Sequence, residues 1–516
     1  MLLNEFLAKN VELNPHKVAL ICGGERLTFN EINNAANSIA NTLIEEGFQK
    51  QERAAIYLEN SVESIISLFG ILKAGGVFVF VHPQIKAKKF EYMLKDCEAR
   101  VLVTDTDHLT NINEILPHIP SLKLIIVTDY QKDNLINTLS IKTKILSYRI
   151  LLEERPSTYI PPRCIDTDLA SLIYTSGSSG NPKGVMLTHH NMVSAATSIT
   201  QYLKNTSDDI IINTLSLAFD YGLYQVLMAF KFSGTVVLEK AFVYPQEIIN
   251  TIVKEKVTGW PIVPTIAAIL IRLKSLNKNN FSNLRYITST SQVLPPKHIA
   301  KLREIFPNVE IYSMYGLTEC KRVSYLNPKD LDKKPSSVGK AIPNTEAYIV
   351  NENDEEIVVP RTPGELVVRG SSVMKGYWNL PKETARTLRP GRYPGDKVLY
   401  TGDIFEKDEE GYLYFLGRKD SIIKTTGYMV SPKEVENVLS EKDDVIEAAV
   451  IGVDDEILGN AIKAFVHLSD NSKTTEKDII RYCSEHLEDY SVPKYVILCS
   501  ELPKTLTGKV QKRDLQ

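Results

Sequence analysis

The side chains best suited to chemistry lie in residues 174–187, YTSGSSGNPKGVML. Glycines allow tight turns that direct backbone N–H groups inward, hydroxyls add hydrogen-bond donors, and Lys183 adds positive charge. These features predict a polyphosphate-binding loop, and a flexible surface loop is the alternative. It is not a Walker loop, because glycine follows Lys183 where that loop has serine or threonine. The predicted phosphate contacts are Thr175, Ser176, Gly177, Ser178, Ser179, Gly180 and Lys183.

Elements that must hold this loop are recognisable on both sides of it. An apolar, strand-like segment, residues 169–174, precedes the loop, and a helical run begins after Thr188. Upstream, short β-rich runs alternate with helical periodicity between residues 18 and 129. This alternation is typical of an α/β fold in which mixed or mostly parallel sheets are flanked by helices. Residues 131–163 are polar and lack a clear period, so we expect a surface excursion there.

Length and composition limit the class of protein. At 516 residues the chain exceeds the size of a single hydrophobic core, so two or more domains are expected. The net charge of −3 gives no reason to expect nucleic acid or an anionic membrane surface as a partner. The longest apolar run, residues 65–81, is interrupted by Lys73 and three glycines, so no membrane span is expected. Six scattered cysteines and no recognisable signal peptide predict reduced thiols, no zinc site and a cytoplasmic location.

The second half of the chain changes character. Residues 345–400 contain short β runs separated by glycine and proline, which predict a small antiparallel or barrel-like subdomain. After residue 418, helical and strand-like runs alternate over a length sufficient for a small α+β domain.

The phosphate loop resembles the signature of the adenylate-forming superfamily, which comprises acyl-CoA synthetases, luciferases and the adenylation domains of nonribosomal peptide synthesis. The resemblance covers nearly the whole chain and implies ATP and Mg²⁺. In YSMYGLTEC, residues 312–320, it implies that Tyr315 stacks on adenine, Thr318 contacts phosphate and Glu319 binds Mg²⁺. A carboxylate suits Mg²⁺, and a solvated glutamate is the alternative. Ser289 would lie on the adenine side, in a segment that is rich in glycine and alanine elsewhere in the family.

Further site residues follow from the same resemblance near the predicted domain boundary. Asp403 would accept hydrogen bonds from the two ribose hydroxyls, and Arg418 would contact ribose or phosphate. Lys419 and Asp420 occupy the family's hinge. The predicted domains are therefore residues 1–418, which bind ATP and the acid, and residues 419–516, which form a mobile C-terminal domain.

Two residues of the mobile domain are assigned roles in the reaction. Gly427 would line the thiol tunnel, because glycine permits a close approach of the backbone. Lys509 belongs to LPKTLTGK, residues 502–509, and would contact the carboxylate and the α-phosphate. A solvated lysine in a basic tail is the alternative.

The segment that is expected to contact the acid substrate is FDYG, residues 219–222. In the resembled family this segment forms a wall of the acyl pocket, and Asp220 resembles the aspartate that pairs with the α-amino group of an amino acid. A buried carboxylate needs such a cation to compensate for its desolvation. A helix cap or another pocket role is the alternative. Arg322 could border the same pocket. The other predicted pocket residues, each equally compatible with ordinary core, are Tyr221, Tyr224, Pro261, Ile287 and Met314.

Three functions are compatible with these residues. The favoured one is a free-standing enzyme that activates a small amino acid, such as proline or alanine, as an acyl-adenylate with release of pyrophosphate. It would then load the phosphopantetheine thiol of a carrier protein. The alternative is an acyl-CoA synthetase for an aryl or aliphatic acid that uses coenzyme A. A nucleotide-binding sensor or scaffold without catalysis is disfavoured, because the predicted phosphate, magnesium, ribose and lysine positions are retained together.

Overall fold

The computed structural model describes residues 1–130, 143–175, 181–273, 276, 281–290, 294–419, 421–425, 428–455, 459–470, 472–487, 489–505 and 509–515. The strands are β1 (Val18–Cys22), β2 (Glu25–Thr28), β3 (Arg53–Tyr57), β4 (Val77–Phe80), β5 (Val101–Thr104), β6 (Leu124–Val127), β7 (Lys144–Ser147), β8 (Leu169–Thr175), β9 (Lys183–Thr188), β10 (Ile210–Asn213), β11 (Thr235–Leu238), β12 (Gly259–Ile262), β13 (Tyr286–Ser289), β14 (Glu310–Tyr315), β15 (Ser324–Tyr325), β16 (Lys340–Ala341), β17 (Thr345–Val350), β18 (Gly364–Gly370), β19 (Gly376–Tyr377), β20 (Leu388–Pro390), β21 (Lys397–Lys407), β22 (Leu413–Arg418), β23 (Ile423–Thr425), β24 (Tyr428–Val430), β25 (Val445–Asp455), β26 (Gly459–Leu468) and β27 (Tyr495–Cys499). The helices are α1 (Glu5–Leu13), α2 (Phe29–Glu45), α3 (Val62–Lys73), α4 (Ala87–Asp96), α5 (Thr106–Ile112), α6 (Tyr148–Glu154), α7 (His189–Tyr202), α8 (Asp220–Lys231), α9 (Pro245–Lys254), α10 (Pro264–Arg272), α11 (Pro296–Ile305), α12 (Pro381–Thr387), α13 (Pro432–Glu441) and α14 (Glu476–His486).

Two large sheets organise the N-terminal region. In one, nine strands follow the order β16-β15-β14-β13-β12-β10-β11-β1-β2, and the central strands from β14 to β1 are parallel. In the other, eight strands follow the order β19-β9-β8-β4-β3-β5-β6-β7, with antiparallel pairs at the β19 edge. The parallel strands have continuous apolar sequences, such as VFVF in β4, because helices cover both faces of the sheets.

Helices fill the space between the two sheets and also cover their outer faces. The inner layer contains α2, α3, α7 and α8, and its core includes the fully buried rings of Phe29, Phe69 and Phe230. Outside the nine-stranded sheet, α9, α10 and α11 pack around Trp260. Outside the eight-stranded sheet, α4 and α5 pack around Phe90. Each such side chain contributes about 1.5–3 kcal/mol by burial, so these layers hold the strand ends in fixed relative positions. Within the described ranges, no helix has the length and apolar character needed to cross a membrane.

Local hydrogen bonds position the segment that carries the predicted phosphate loop. Thr175 at the end of β8 and Lys183 at the start of β9 are register partners in an antiparallel pair, so the loop connects two paired strands. Immediately after β9, Thr188 and Asn191 form a capping box that starts α7. Such reciprocal bonds satisfy backbone N–H groups that a helix start leaves without partners.

A third sheet and a C-terminal α+β unit complete the chain. The predicted β-rich subdomain is an antiparallel sheet of β17, β18, β20, β21 and β22. Beyond it, β25, β26 and β27 form a sheet with α13 and α14 packed against it, and β23 pairs with β24. The predicted fold class is thereby confirmed. The predicted boundary between residues 418 and 419 coincides with the end of β22 and stays a prediction.

The expected surface excursion at residues 131–163 is wrong for residues 144–154, whereas residues 155–163 are irregular and mostly exposed. Residues 144–147 form β7, which extends the eight-stranded sheet beside β6, and residues 148–154 form α6. The strand is only four residues long, and its end residues Lys144 and Ser147 are polar, so its sequence carries no detectable period. Pairing with β6 stabilises this strand, and the local sequence pattern does not indicate that pairing.

Gly339 provides a test of how the nine-stranded sheet is joined to β22. It forms an isolated bridge with Leu413 at φ +83°, and a Cβ there would lie 1.8 Å from the Tyr325 carbonyl oxygen. We expect Gly339→Ala to lower the free energy of unfolding by about 3–5 kcal/mol. The new Cβ is strained at a positive φ and also forces the Tyr325 backbone to move away. Gly411→Ala is the matched control, since Gly411 has φ +84° but open space around it. Its loss should be about 1–2 kcal/mol. Thermal melting of both variants measures the difference, and equal melting temperatures would contradict the assigned clash.

Candidate active site

Tyr315, at the end of β14, and Asp403, in β21, meet at the carboxyl edge of the nine-stranded sheet. The Tyr315 hydroxyl donates to Asp403 Oδ2 at 2.5 Å, and its ring packs edge-on against Phe405 at 4.8 Å. Arg418 Nη1 lies 3.0 Å from Asp403 Oδ1, but that oxygen accepts no hydrogen bond from the described residues. Burial raises the pKa of Asp403, and the charge of Arg418 opposes the shift. A buried carboxylate with one oxygen still able to accept donors suits a vicinal diol such as that of ribose.

Lys183 and Glu319 are connected through Tyr377. Lys183 Nζ donates to Glu383 Oε2 at 2.9 Å and lies 5.4 Å from the centroid of the Tyr377 ring. The Tyr377 hydroxyl donates to Glu319 Oε1 at 2.7 Å. Burial raises the pKa of Tyr377 far above its ordinary value, so the hydroxyl stays a donor. Lys183 holds the pKa of Glu383 below its ordinary range. The predicted phosphate lysine and the predicted magnesium carboxylate therefore lie at one place.

Glu319 fits a magnesium site only in combination with phosphate. Among the described residues, no group of three or more His, Cys, Asp or Glu side chains converges as a complete metal site. Mg²⁺ usually takes one or two carboxylates and completes its shell with phosphate oxygens and water. A single glutamate near the predicted phosphate lysine has the chemistry that such a site requires.

Lys509 reaches this same region from the C-terminal unit. Its backbone N–H donates to Thr505 Oγ1 at 3.1 Å, and the Thr505 N–H donates to the Lys509 carbonyl at 2.7 Å. The carboxylates whose charges act on its ammonium group are Asp220, Asp403 and Glu319. Enclosure by protein lowers the pKa of Lys509, and these carboxylates oppose the shift. The Lys509 residue is nevertheless exposed to solvent.

Asp220, the first residue of α8, already has a cationic partner within the chain. Phe219 is the N-cap residue, so Asp220 does not cap the helix. Lys321 Nζ lies 3.4 Å from Asp220 Oδ2, and the two side chains are 2% and 21% exposed. The ammonium group also lies 4.5 Å from the ring centroid of Tyr224. The protein itself therefore supplies the cation that this partly buried carboxylate requires.

Most of the predicted acyl-pocket side chains lie on the inner face of the nine-stranded sheet. The Tyr221 hydroxyl donates to the Thr288 carbonyl at 2.9 Å, and Tyr224 is also buried in the inner core. Pro261 is the register partner of Thr288, which places it on the same face of the sheet. Met314 joins this core through its sulfur, which accepts from a tyrosine hydroxyl at 3.1 Å.

Ile287 is the exception among the predicted pocket residues. It packs with Trp260 in the cluster on the outer face of the sheet, whereas its neighbours Tyr286 and Thr288 face inward. Alternate residues of a strand point to opposite faces, so one position separates pocket from outer core. The placement of Ile287 favours ordinary core.

The remaining predicted residues divide into those the structure describes and those it does not. Ser289 ends β13 and is buried, with no hydrogen-bond partner for its Oγ among the described residues. Thr318 lies in the turn after β14, and Lys419 Nζ donates to Glu365 Oε2 at 2.7 Å. Thr175 is half-buried beside Lys183. Those outside the described residues are Ser176, Gly177, Ser178, Ser179, Gly180, Asp420 and Gly427.

Sequence reasoning missed three polar side chains of this region, which are Tyr377, Glu383 and Lys321. Tyr377 and Glu383 lie far along the chain from Lys183, in segments without a recognisable motif, so nothing in the sequence indicated them. Lys321 directly follows the TEC segment, and Arg322 was considered only as a residue bordering the pocket. A signal for Lys321 existed, because an aspartate expected to be buried at position 220 needs a cation and a lysine of the same chain can supply it.

Comparisons with known proteins match both regions of the chain. The family model described as AMP-binding enzyme matches residues 7–378, and that described as AMP-binding enzyme C-terminal domain matches residues 434–509. The long-chain-fatty-acid–CoA ligase of Bacillus subtilis (strain 168) is 32% identical, over 99% of this chain and 94% of that protein. Tyrocidine synthase 3 of Brevibacillus parabrevis is 29% identical, over 99% of this chain and 8% of that protein. The crystal structure of the anthranilate CoA ligase AuaEII in complex with anthranoyl-AMP has a TM-score of 0.89 at 27% identity, covering 100% of this chain and 96% of that one.

Binding of AMP tests the assignment of Asp403 and Tyr315. We expect Asp403→Ala to weaken AMP binding about 100-fold, because the ribose loses a charged acceptor. Tyr315→Phe keeps the ring and removes only the donor to Asp403, so we expect a loss of about ten-fold. Tyr312→Phe is the control, since the Tyr312 hydroxyl donates to Glu310 instead. Isothermal titration calorimetry gives the affinities, and equal affinity in the two Phe variants would exclude the role assigned to the Tyr315 hydroxyl.

Proposed function

Because the chain belongs to the AMP-binding enzyme family, we propose that this adenylate-forming ligase joins a carboxylic acid without an α-amino group to coenzyme A. The acid is first activated with ATP to an acyl-adenylate, and the acyl group is then transferred to the thiol. This proposal adopts the alternative that the sequence left open, in place of the favoured activation of a small amino acid.

The Asp220–Lys321 ion pair carries this choice of substrate. The expectation of an amino acid depended on Asp220 being a buried carboxylate in need of a cation, and Lys321 now meets that need at 3.4 Å. An α-amino group would have to displace the ammonium of Lys321 or bring another charge beside it, with a further desolvation cost. An acid without an amino group leaves the pair intact. The specific expectation of proline or alanine presupposed an amino acid, so it is set aside as well.

The extent of similarity supports coenzyme A as the acceptor. The likeness to the long-chain-fatty-acid–CoA ligase extends over nearly the full length of both proteins. The likeness to tyrocidine synthase 3 covers one small part of a much longer protein, and it favours a second candidate, which is transfer of an activated amino acid to a carrier protein.

The proposed first step uses charge and position without a protein nucleophile. A carboxylate oxygen of the acid attacks the α-phosphorus, the bond from that phosphorus to the bridging oxygen breaks, and pyrophosphate leaves. Lys509 stabilises the negative charge that builds up on the phosphoryl oxygens, and Lys183 holds the leaving phosphates. Mg²⁺ bound at Glu319 would neutralise further phosphate charge. Asp403 and Tyr315 hold the nucleoside, so the reacting atoms meet in a fixed orientation.

The proposed second step requires the C-terminal domain to turn. The thiol sulfur attacks the acyl carbonyl, the carbonyl–phosphate bond breaks, AMP leaves and the thiol proton passes to solvent. Lys419 is anchored to the N-terminal domain, because its N–H donates to the Gly402 carbonyl at 2.8 Å and its ammonium pairs with buried Glu365. We therefore place the pivot immediately after Lys419, at the predicted hinge residue Asp420. The turn would remove Lys509 from the cleft and bring Gly427 towards the acyl group.

A panel of acids tests the substrate class directly. We expect coenzyme A-dependent release of AMP with one or more fatty, aryl or dicarboxylic acids and none with amino acids. Asp220→Asn should not create or abolish a preference for an amino group, because Lys321 already occupies that position. Exchange of pyrophosphate into ATP with an amino acid alone, lost in Asp220→Asn, would contradict the proposal. In that case a phosphopantetheinylated carrier protein is the acceptor to test.

Partial reactions test the role of Lys509. We expect Lys509→Met to slow acid-dependent exchange of pyrophosphate into ATP by about 10²–10³-fold, because a charged transition-state donor is lost. Transfer from synthetic acyl-adenylate to coenzyme A should keep most of its rate, since Lys509 leaves the cleft before that step. Lys512→Met is the control, because Lys512 pairs with Glu436 on the C-terminal unit. Equal losses in both half-reactions would exclude a role limited to adenylation.

A further inference from the structure

Two adjacent cations, Lys321 and Arg322, are buried beside the proposed acid site. The Arg322 N–H donates to the Cys320 carbonyl at 2.8 Å across a γ-turn, in which Lys321 adopts φ +63°. This left-handed conformation is rare for a residue other than glycine, and it persists only where surrounding contacts impose it. The turn points two consecutive side chains into the interior, so that each is only about 2% exposed.

The charges of these two cations are not balanced within the described chain. Asp220 is the one carboxylate that the described residues bring within ion-pair distance of either cation. Lysine and arginine are almost never fully buried unless they are paired. A buried cluster of two cations and one anion therefore favours a second anion as a partner.

Arg322 also retains unused hydrogen-bond donors. Its Nε and Nη1 have no hydrogen-bond partner among the described residues, although both atoms are buried. The guanidinium carbon lies 5.4 Å from the centroid of the Tyr221 ring, a contact that favours a cation but satisfies no N–H group. Unpaired buried donors lower stability, so a molecule that completes them at this site would bind with a clear advantage.

The location of the pair connects it to the reaction centre. Asp220 contacts Lys321, and the charge of the same carboxylate acts on Lys509. Tyr221, which borders both cations, belongs to the predicted wall of the acyl pocket. A substrate whose reacting carboxylate lies near Lys509 would thus extend its remainder towards Lys321 and Arg322.

We propose that the acid activated by this protein carries a second anionic group, in the manner of a dicarboxylic acid, and that Arg322 and Lys321 bind this group. The inference rests on the proposed function, because it names the substrate class of the same site. A carboxylate matches the fork of N–H donors on a guanidinium and adds the missing negative charge. A plain hydrocarbon chain would leave both the donors and the charge without partners. Arg322 is therefore assigned as a specificity-determining residue.

The first experiment compares each acid with a derivative that lacks only the second charge. Wild-type protein is given ATP, coenzyme A and linear or aromatic dicarboxylic acids of increasing length, each beside its own monomethyl ester. We expect at least one diacid to exceed its ester in kcat/KM by about 100-fold, since truncating one partner of a buried charge pair has effects of this size. Esters and simple monocarboxylic acids used as well as every diacid would overturn the inference, and this result needs no variant.

Variants then assign the preference to Arg322. Arg322→Met should abolish the ratio between diacid and ester, whereas Arg322→Lys should retain part of it, because the charge remains. Lys73→Met is the matched control: Lys73 is another buried lysine, held by Asn33, and its loss should leave the ratio unchanged. A purely structural role of Arg322 would reduce turnover of diacid and ester equally, which would overturn the assignment. If Arg322→Met does not fold, Arg322→Lys and the wild-type ratio decide the question.

A binding measurement separates this inference from the proposed function. The best diacid alone should raise the melting temperature of wild-type protein, and its monomethyl ester should not. If no carboxylic acid supports coenzyme A-dependent release of AMP, the proposed function fails. If monocarboxylic acids support coenzyme A-dependent release of AMP, and the diacid and its monomethyl ester shift the melting temperature equally, only the diacid inference fails.

Discussion

The cost of removing charge from water governs the arrangement of this cleft. Lysine, arginine and carboxylate side chains converge where the parallel strands end, and the carboxylates are tolerated there because each has a partner group. Asp403 faces Tyr315 and Arg418, Glu319 faces Tyr377, and Asp220 faces Lys321. The two large sheets with their helices make this possible, because only a rigid scaffold can hold such partners at hydrogen-bond distance. The acid-activating chemistry then uses charges whose solvation has already been replaced by protein groups.

The fold and the chemical class were predictable from sequence because both depend on local patterns. Buried parallel strands have continuous apolar runs, helices such as α7 begin at capping residues, and the phosphate loop has a recognisable composition. A prediction failed where the pattern was too short, as in β7. The sequence also did not predict which face of the sheet a side chain lies on. Ile287 and Thr288 differ by one position and point to opposite faces.

The substrate was the least predictable property, and the reason is physical. Asp220 correctly indicated that a cation must be near, but a sequence does not state whether the cation comes from the ligand or from the chain. Lys321 lies 101 residues later, and the γ-turn at that residue accompanies its contact with Asp220. Likewise, Tyr377 and Glu383 meet Lys183 because β19 pairs with β9, a contact between segments without a common motif. Long-range pairing of this kind determines specificity and is invisible in local patterns.

The ion pair between Lys183 and Glu383 has a consequence for the reaction cycle. In the proposed function, arriving phosphate does not meet a free ammonium group but takes the place of a carboxylate, so one ion pair is exchanged for another. The gain in affinity is correspondingly small, since part of the attraction to phosphate is offset by the separation from Glu383. The same exchange runs in reverse when pyrophosphate departs, because Lys183 can then pair with Glu383 again. Such a site binds phosphate less tightly and releases pyrophosphate faster, so that product release does not limit turnover.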